Sequence, residues 1–329
     1  MPAPREVIRP LLAAMRRFDG DAVAQALDRT FRPGAPVQLA HPFETMDSLR
    51  EALEPLHEAF PDLERRDTIL IEGRSNLGAE WVGVCGYWCG TFAAPFLDIP
   101  PSRRMAAMRF HEFFRLEGGE VVEFQGLWDI PELMLQAPGP QGSAWPMGPS
   151  LGREWHVPGP ATQDGLGPHE RDGSRAAGIV NDMLVGLGKH AEGGAEAMGL
   201  ERFWHPHLSW YGPSGIGTAR GIQGFRRHHQ IPFLHAMPDR VGDPAAGHLF
   251  GEGDYAGFTA WPGMHMTLSG DGWLGIAPAD KRITMRSLDF WRVNPATGLI
   301  EENWVLVDLL HAWHQLGVDV LARMRELTG

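Results

Sequence analysis

Apolar and polar residues follow two different periods along the chain, one typical of helices and one typical of strands. Near the amino terminus the apolar positions recur every three or four residues: Val7, Ile8, Leu11, Leu12 and Met15. This spacing predicts an amphipathic helix over residues 5–18. Further helices are predicted over 21–30, after the Asp19-Gly20 break, and over 46–59, before Pro61.

Strand-like runs follow these helices in the first half of the chain. They are richer in aromatic and β-branched residues and cover residues 68–72, 80–92, 105–116 and 120–129. The Gly118-Gly119 pair between the last two runs predicts a tight hairpin turn. Helices first and a meandering sheet afterwards is the order of an α+β fold.

The second half repeats this order of elements. Helical patterns cover residues 174–190, 195–204 and 221–236, strand patterns cover 248–261, 282–293 and 299–308, and a closing helix starts after Asp308. Residues 138–173, between the halves, are rich in Pro and Gly, as in linkers. Since Trp145 and Trp155 lie within this segment, we expect it to dock along the surface.

An internal repeat explains the doubled order. Residues 108–115 read MRFHEFFR and residues 285–292 read MRSLDFWR, at an offset of 177. The same offset superposes Pro61-Asp62 on Pro238-Asp239. We therefore predict two copies of one domain, over 1–137 and 174–329.

Composition narrows the class of partner and the compartment. The 329 residues suit two domains, and the net charge of −12 without a Lys/Arg run argues against nucleic acid or membrane partners. The two cysteines, Cys85 and Cys89, exclude a disulfide framework and are expected to be buried and inert. The amphipathic start could be a targeting peptide, but it lacks an apolar signal core, so a cytoplasmic location is expected.

The end of the second copy carries a family signature. Residues 298–310 read GLIEENWVLVDLL, and Gln315-Leu316-Gly317 follow in the closing helix. This resembles the closing signature of the SnoaL-like polyketide cyclases, and Pro238-Asp239 after a helix is their second hallmark. The first copy is similar but less complete: it reads GEVVEFQGLWD over 119–129 and keeps Phe60-Pro61-Asp62.

The resemblance implies a fold and a reaction. The fold is nuclear-transport-factor-2-like, so each copy would be a cone-shaped curved antiparallel sheet wrapped around helices, with an apolar pocket. Members near the name-giving enzyme close rings of polyketide esters by an aldol step without a cofactor, and their acid/base is the Asp at the position of Asp308. Relatives usually pair through their sheets, so we expect an internal pseudo-dimer and leave a further homodimer open.

The last strand of the second copy carries the candidate catalytic group. Alternation puts Glu302, Trp304, Leu306 and Asp308 on one face. A carboxyl in a dry, apolar pocket has a raised pKa, which suits acid/base chemistry near neutral pH. Asp308 is therefore the predicted catalytic residue, with Trp304 and Glu302 shaping its pocket. The alternative is that Asp308 caps the helix that follows.

The first copy offers a matching face with Glu123, Gln125 and Asp129. Asp129 is a second catalytic candidate, although Pro131 just after it favours helix capping. Gln125 stands where the second copy has Trp304, which puts the activity of the first copy in doubt.

The preceding strand carries a second set of candidate substrate-binding residues. Glu112 and Asp289 are equivalent acids, and Arg286 lies on the opposite face from Asp289 by parity. One of the two faces the pocket or the surface between the domains, and a structural ion pair is the alternative role for Arg286. His111, whose counterpart is Leu288, is either a base or a hydrogen-bonded structural histidine. The pairs His205/His207 and His228/His229 lack zinc-motif spacing, and no metal is expected.

These observations predict a cofactor-independent enzyme that acts on an apolar, carbonyl-bearing small molecule by aldol-type ring closure. The alternatives are another pocket reaction (isomerase, dehydratase or epoxide hydrolase) or a non-catalytic ligand-binding module. A cavity below about 150 Å³ would favour a structural, scaffolding role, because ligand pockets usually exceed about 300 Å³.

Overall fold

The computed structural model describes residues 3–148, 172–242 and 247–329. These residues form helices and two curved, open sheets, which is the predicted α+β class. None of the described helices is long and apolar enough to span a membrane.

The first copy packs its helices on one side of a six-stranded sheet. The helices are α1 (Pro4–Arg16), α2 (Gly20–Thr30), α3 (Arg50–Ala59) and α4 (Ile130–Gln136). The strands are β1 (Val37–Leu39), β2 (Glu44–Met46), β3 (Glu64–Arg74), β4 (Glu80–Thr91), β5 (Met105–Glu117) and β6 (Glu120–Trp128). The strand order is β2-β1-β6-β5-β4-β3, and only β1 and β6 run parallel.

The second copy repeats this plan with a seven-stranded sheet. Its helices are α5 (Ser174–Leu187), α6 (His190–Ala197), α7 (Gly221–Phe225), α8 (Ile231–Ala236), α9 (Leu309–Gln315) and α10 (Val320–Thr328). Its strands are β7 (Trp204–Tyr211), β8 (Thr218–Arg220), β9 (Val241–Gly242), β10 (His248–Glu252), β11 (Tyr255–Thr267), β12 (Arg282–Val293) and β13 (Ile300–Val307). The order is β10-β11-β12-β13-β7-β8, with β9 paired to β11.

The repeated motifs serve repeated structural purposes. In the first copy, Asp62 accepts hydrogen bonds from the backbone nitrogen of Thr91 at 2.6 Å and from its hydroxyl at 2.8 Å. In the second copy, Asp239 accepts the same two bonds from Thr267, both at 2.7 Å. The Pro-Asp hallmark therefore ties the end of a helix to the end of the second long strand.

The two sheets pack face to face around equivalent residues. The rings of Phe113 and Phe290, which are related by the offset of 177, stack at 5.0 Å. His111 Nδ1 lies 2.6 Å from the carbonyl oxygen of Leu288, its own counterpart. Contacts between equivalent residues are what a two-fold axis produces, so the copies are arranged as a pseudo-symmetric pair.

Arg109 stabilises the interface between the two copies. Its fully buried guanidinium donates to the carbonyl oxygens of Tyr211, Gly212 and Val305 in the other copy at 2.9–3.0 Å. Charge-assisted hydrogen bonds of this kind are about twice as strong as neutral ones. The interface is thus both apolar and specifically hydrogen-bonded.

The described part of the linker, residues 138–148, lies against the second copy. Trp145 is buried, packs on Trp313 of α9 with ring centroids 5.7 Å apart, and donates to the carbonyl of Gly148. Trp155 lies outside the described residues. Cys85 and Cys89 are both buried and free, and burial raises the pKa of the Cys85 thiol to about 12.

Candidate active site

An apolar cavity of about 170 Å³ lies in the second copy, between its sheet and the helices α5, α7 and α8. Apolar and aromatic side chains form most of the wall, among them Met183, Leu184, Leu187, Trp204, Trp210, Phe225, Phe233, Phe258, Met264, Met285 and Trp291. The volume exceeds the size at which a structural role would be favoured and is smaller than most ligand pockets. It suits a small compound.

Among the residues that the structure describes, the carboxyl group that lines this cavity belongs to Asp289. Alternation along β12 turns Ser287, Asp289 and Trp291 to the cavity, while Leu288 and Phe290 face the other sheet. The hydroxyl of Ser287 donates to Asp289 Oδ2 at 2.6 Å, which is the one hydrogen bond described for this carboxyl. Asp289 is 7% exposed.

The surroundings of Asp289 favour its neutral form. Burial raises the pKa of Asp289 to about 7, against smaller opposing effects of the Ser287 hydrogen bond and the charge of Arg109. A carboxyl with this pKa exchanges protons readily at neutral pH, as a general acid or base must.

A buried cation lines the same cavity. Arg240 lies between α8 and β9; it donates from Nη2 to the carbonyl of Leu187 at 3.0 Å, and its Nη1 lies 3.9 Å from the sulfur of Met264. Its Nε is buried without a hydrogen-bond partner, and no carboxylate of the described residues lies within 4.0 Å. Burial lowers the pKa of Arg240.

A widened helical turn adds two polar side chains. Residues Arg226–Gln230 form a π-helical turn between α7 and α8, and it brings the adjacent His229 and Gln230 to the cavity wall. His229 stacks on Trp210 at 4.4 Å, and burial together with the charge of Arg240 lowers its pKa to about 3. The imidazole is therefore neutral, and both its Nδ1 and Gln230 Oε1 lack a partner among the described residues.

Three indole N–H groups are also unpaired at this wall. The Nε1 atoms of Trp204, Trp273 and Trp291 are buried without a described hydrogen bond, and all three residues line the cavity. Buried polar atoms in folded proteins are usually satisfied. These N–H groups point to positions at which a polar group of a ligand could be bound.

The corresponding space in the first copy is filled by Arg65. Its guanidinium is fully buried, pairs with Glu112 and Asp67 at 2.7 Å each, and lies 4.0 Å from the ring centroid of Phe110. Glu112 also accepts from the indole of Trp128 at 3.0 Å. In the second copy the equivalents are Gly242 for Arg65, by strand pairing, and Asp289 for Glu112. Replacement of the arginine by glycine opens the cavity and leaves the acid without a cation.

Replacing Arg65 with Met should destabilise the protein by about 3–5 kcal/mol, because the buried carboxylate of Glu112 loses its cation. Urea denaturation would measure the change in the free energy of unfolding. Arg74→Met, at an exposed position on the same strand, is the matched control and should stay within about 0.5 kcal/mol. Equal effects of the two substitutions would contradict this role of Arg65.

Comparison with known proteins finds a family that the first copy resembles. Residues 5–137 match the model of the SnoaL-like polyketide cyclase family. This match covers the first copy, whose motifs resemble the same family. No curated protein matches the chain.

Solved structures match about two fifths of the chain each. AclR from Streptomyces galilaeus is 17% identical and covers 40% of this chain and 79% of its own, with a TM-score of 0.34. IdmH from Streptomyces antibioticus is 20% identical and covers 41% and 98%, with a TM-score of 0.34. TsrD from Streptomyces laurentii is 21% identical and covers 40% and 92%, with a TM-score of 0.33.

The two aspartates at the SnoaL-like signature position lie outside the large cavity. Asp308 caps α9 through the backbone nitrogen of His311 at 3.0 Å, and its other oxygen accepts from the backbone of His41 at 3.0 Å and from Arg286 at 3.1 Å. Asp129 does the same in the first copy: it accepts from the backbone nitrogens of Glu132 at 3.3 Å and Ser214 at 2.9 Å. Both aspartates therefore cap helices and join the copies.

The prediction that Trp304 shapes the pocket is wrong. Trp304 and Leu306 pack in the cluster between the two sheets, beside Tyr211 and Phe290, and do not line the cavity. Residues Asn303, Val305 and Val307 of β13 line it instead. Both faces of this sheet are covered, so an apolar face was not evidence of a pocket.

The remaining candidates also belong to the region between the sheets. Glu302 accepts from the Tyr211 hydroxyl at 3.0 Å, and Arg286 pairs with Asp308 and Glu44. In the first copy, Glu123 pairs with Arg115 at 2.7 Å, and Gln125 bonds to Glu123 and Thr259. Burial lowers the pKa of His111, which keeps this imidazole neutral beside Leu288.

No group of three potential metal ligands occurs in the part of the chain that the structure describes. The site residues that sequence reasoning missed are Arg240, His229, Gln230 and Gly242. The signal for Gly242 was present in the repeat, since it aligns with Arg65 at the offset of 177.

Proposed function

We propose that the second copy is an acid/base enzyme for a small, apolar, carbonyl-bearing molecule, and that Asp289 transfers the proton. The observation that carries the proposal is the buried carboxyl of Asp289, with its pKa raised to about 7, in the wall of an apolar cavity. The SnoaL-like match of residues 5–137 supports a pocket enzyme in general. The proposed step uses no cofactor.

The proposed reaction begins with proton removal from carbon. The ionised carboxylate of Asp289 takes a proton from the carbon beside a carbonyl, and the electron pair moves onto the carbonyl oxygen to form an enolate. Donors at the wall stabilise this oxygen; the unpaired N–H groups of Trp204, Trp273 and Trp291 are available for that purpose.

Ring closure would follow as an aldol-type step. The enolate carbon forms a bond to a second carbonyl carbon of the same molecule, and the resulting alkoxide takes back the proton held by Asp289. The carboxylate is regenerated, and atoms and charge balance. The apolar wall excludes water, which would otherwise reprotonate the enolate.

Asp308 remains the rival assignment for the acid/base. Its oxygens already accept three described hydrogen bonds, and the cavity at its side chain is only about 10 Å³. An aspartate held in this way supports a capping role. A catalytic Asp308 therefore requires that the interface between the copies open.

Isotope exchange separates the two assignments without knowledge of the natural substrate. The probe is a small aryl ketone such as 1-indanone in D2O, and proton NMR measures deuterium uptake at the carbon beside the carbonyl. Asp289→Asn should reduce the catalysed rate at least about 100-fold, because general base catalysis contributes roughly 10²–10⁴-fold. Asp308→Asn should keep the rate and lower the free energy of unfolding by about 1–3 kcal/mol.

The opposite pattern would contradict the proposal. If Asp289→Asn keeps its rate while a folded Asp308→Asn loses it, Asp308 is the acid/base. If the wild-type protein gives no exchange with any ketone but binds it, the second copy is a binding module.

A further inference from the structure

The wall of the cavity carries one cation that nothing in the described protein neutralises. Arg240 has no described carboxylate within 4.0 Å, and its Nε is buried without a partner. It is held in place, because Nη2 donates to the carbonyl of Leu187 at 3.0 Å. Burying an unpaired charge is costly, so proteins rarely do it without a compensating group.

The other titratable groups of the cavity do not neutralise this charge. His229 is neutral, and Asp289 does not pair with Arg240. In the first copy the cation of Arg65 in the corresponding space is neutralised, because it pairs with two carboxylates. In the second copy the cation at the wall is Arg240, which stands at a different position from Arg65, and no carboxylate of the described residues pairs with it.

Uncharged hydrogen-bonding groups accompany Arg240. Gln230 and His229 stand on the same wall with a buried Oε1 and Nδ1 that have no described partner. A guanidinium recognises planar anions such as carboxylates through several parallel N–H donors, and its hydrogen bonds to them are charge-assisted. The rest of the wall is apolar and aromatic.

We propose that the ligand of this cavity is a monoanion, a carboxylate on an apolar ring or chain, and that Arg240 binds its carboxylate. This inference rests on the proposed function, because it names the substrate class of the same site. It adds that the carbonyl compound carries an acid group that stays charged throughout the reaction. Arg240 is then a substrate-binding residue that orients the molecule toward Asp289.

Binding of a matched pair of probes tests this proposal. The probes are 3-phenylpropanoate and its methyl ester, at pH 6, and the quenching of the cavity tryptophans reports binding, with calorimetry as a second readout. The carboxylate should bind at least about tenfold more tightly than the ester. Arg240→Met should remove this preference and leave the affinity for the ester unchanged.

Two further variants control the experiment. Arg227→Met removes the same charge from an exposed position on the neighbouring turn and should keep the preference. Asp289→Asn should also keep it, although it loses isotope exchange, so failure of the binding proposal and failure of the catalytic proposal give different results. Arg240→Lys should retain part of the preference if Arg240→Met does not fold.

The proposal is overturned if the carboxylate binds no more tightly than the ester, which includes the case in which neither binds. It is also overturned if Arg240→Met keeps the full preference, because another group then holds the anion.

Discussion

Asp289→Asn is expected to abolish proton transfer and, at the same time, to stabilise the protein above neutral pH. An unfolded aspartate has a pKa near 3.8, and the folded Asp289 has a pKa of about 7. Between these values the folded state holds a proton that the unfolded state has released. The contribution of Asp289 to stability is therefore present below pH 3.8 and is lost as pH rises to about 7.

The size of this effect follows from the shift. One pKa unit corresponds to about 1.4 kcal/mol, so the shift of Asp289 amounts to about 4 kcal/mol. Asparagine has the same shape, keeps the hydrogen bond with Ser287 and does not ionise. The difference in unfolding free energy between Asp289→Asn and wild type should thus grow by up to about 4 kcal/mol between pH 4 and pH 8.

Urea denaturation at several pH values measures this difference. The other titratable groups are the same in both proteins, so their contributions to the pH dependence cancel in the difference. Asp271→Asn, whose side chain is 86% exposed, is the control and should give a flat difference. A flat difference for Asp289→Asn would mean that the pKa of Asp289 is the same in the folded and the unfolded protein, and its proposed role would fail. A gain in stability on loss of function is a common property of residues retained for activity.

Gly242→Arg is expected to close the site by reproducing the first copy. A Cβ at Gly242 would lie 3.6 Å from Nη1 of Arg240 and 3.8 Å from Cγ of Met264, which are ordinary contacts. The new guanidinium would occupy the cavity and pair with Asp289, as Arg65 pairs with Glu112. Isotope exchange and probe binding should fall at least about 100-fold, and the pKa of Asp289 should fall because of the adjacent cation.

Two substitutions at the same position separate volume from charge. Gly242→Leu should block binding equally but leave the pKa of Asp289 raised, and Gly242→Ala should preserve both binding and exchange. Binding and exchange at wild-type rates in Gly242→Arg would show that the ligand site lies elsewhere.

The repeat made much of the fold predictable. It predicted the order of the long elements and the α+β class, and the Gly118-Gly119 pair predicted a hairpin, where both glycines have positive φ. Strand β7 was missed because Pro206 interrupts it, and proline is unusual inside a sheet. The predicted strand end at Trp261 was too early, because β11 continues past Pro262 through a bulge.

The site was less predictable for a physical reason. Strand alternation correctly placed Asp289 and Arg286 on opposite faces of β12, and Trp304 and Val305 on opposite faces of β13. It does not show which of the two faces lines the cavity. Each sheet is covered by helices on one side and by its sister sheet on the other, so both faces of its strands are apolar. The positions of His229 and Gln230 at the cavity wall could not be predicted from helical periodicity, because a π-helical turn changes which residues share a face.

The most direct test of the account is the titration of the Asp289 carboxyl in the folded protein. Carbon-13 NMR of protein labelled at aspartate side chains, compared with the Asp289→Asn variant, identifies the resonance and gives its midpoint. The expected midpoint for a carboxyl buried in the cavity wall is about 7. A midpoint near the ordinary aspartate value of about 4 would contradict it, because the carboxyl in the cavity would then be an ordinary solvated anion.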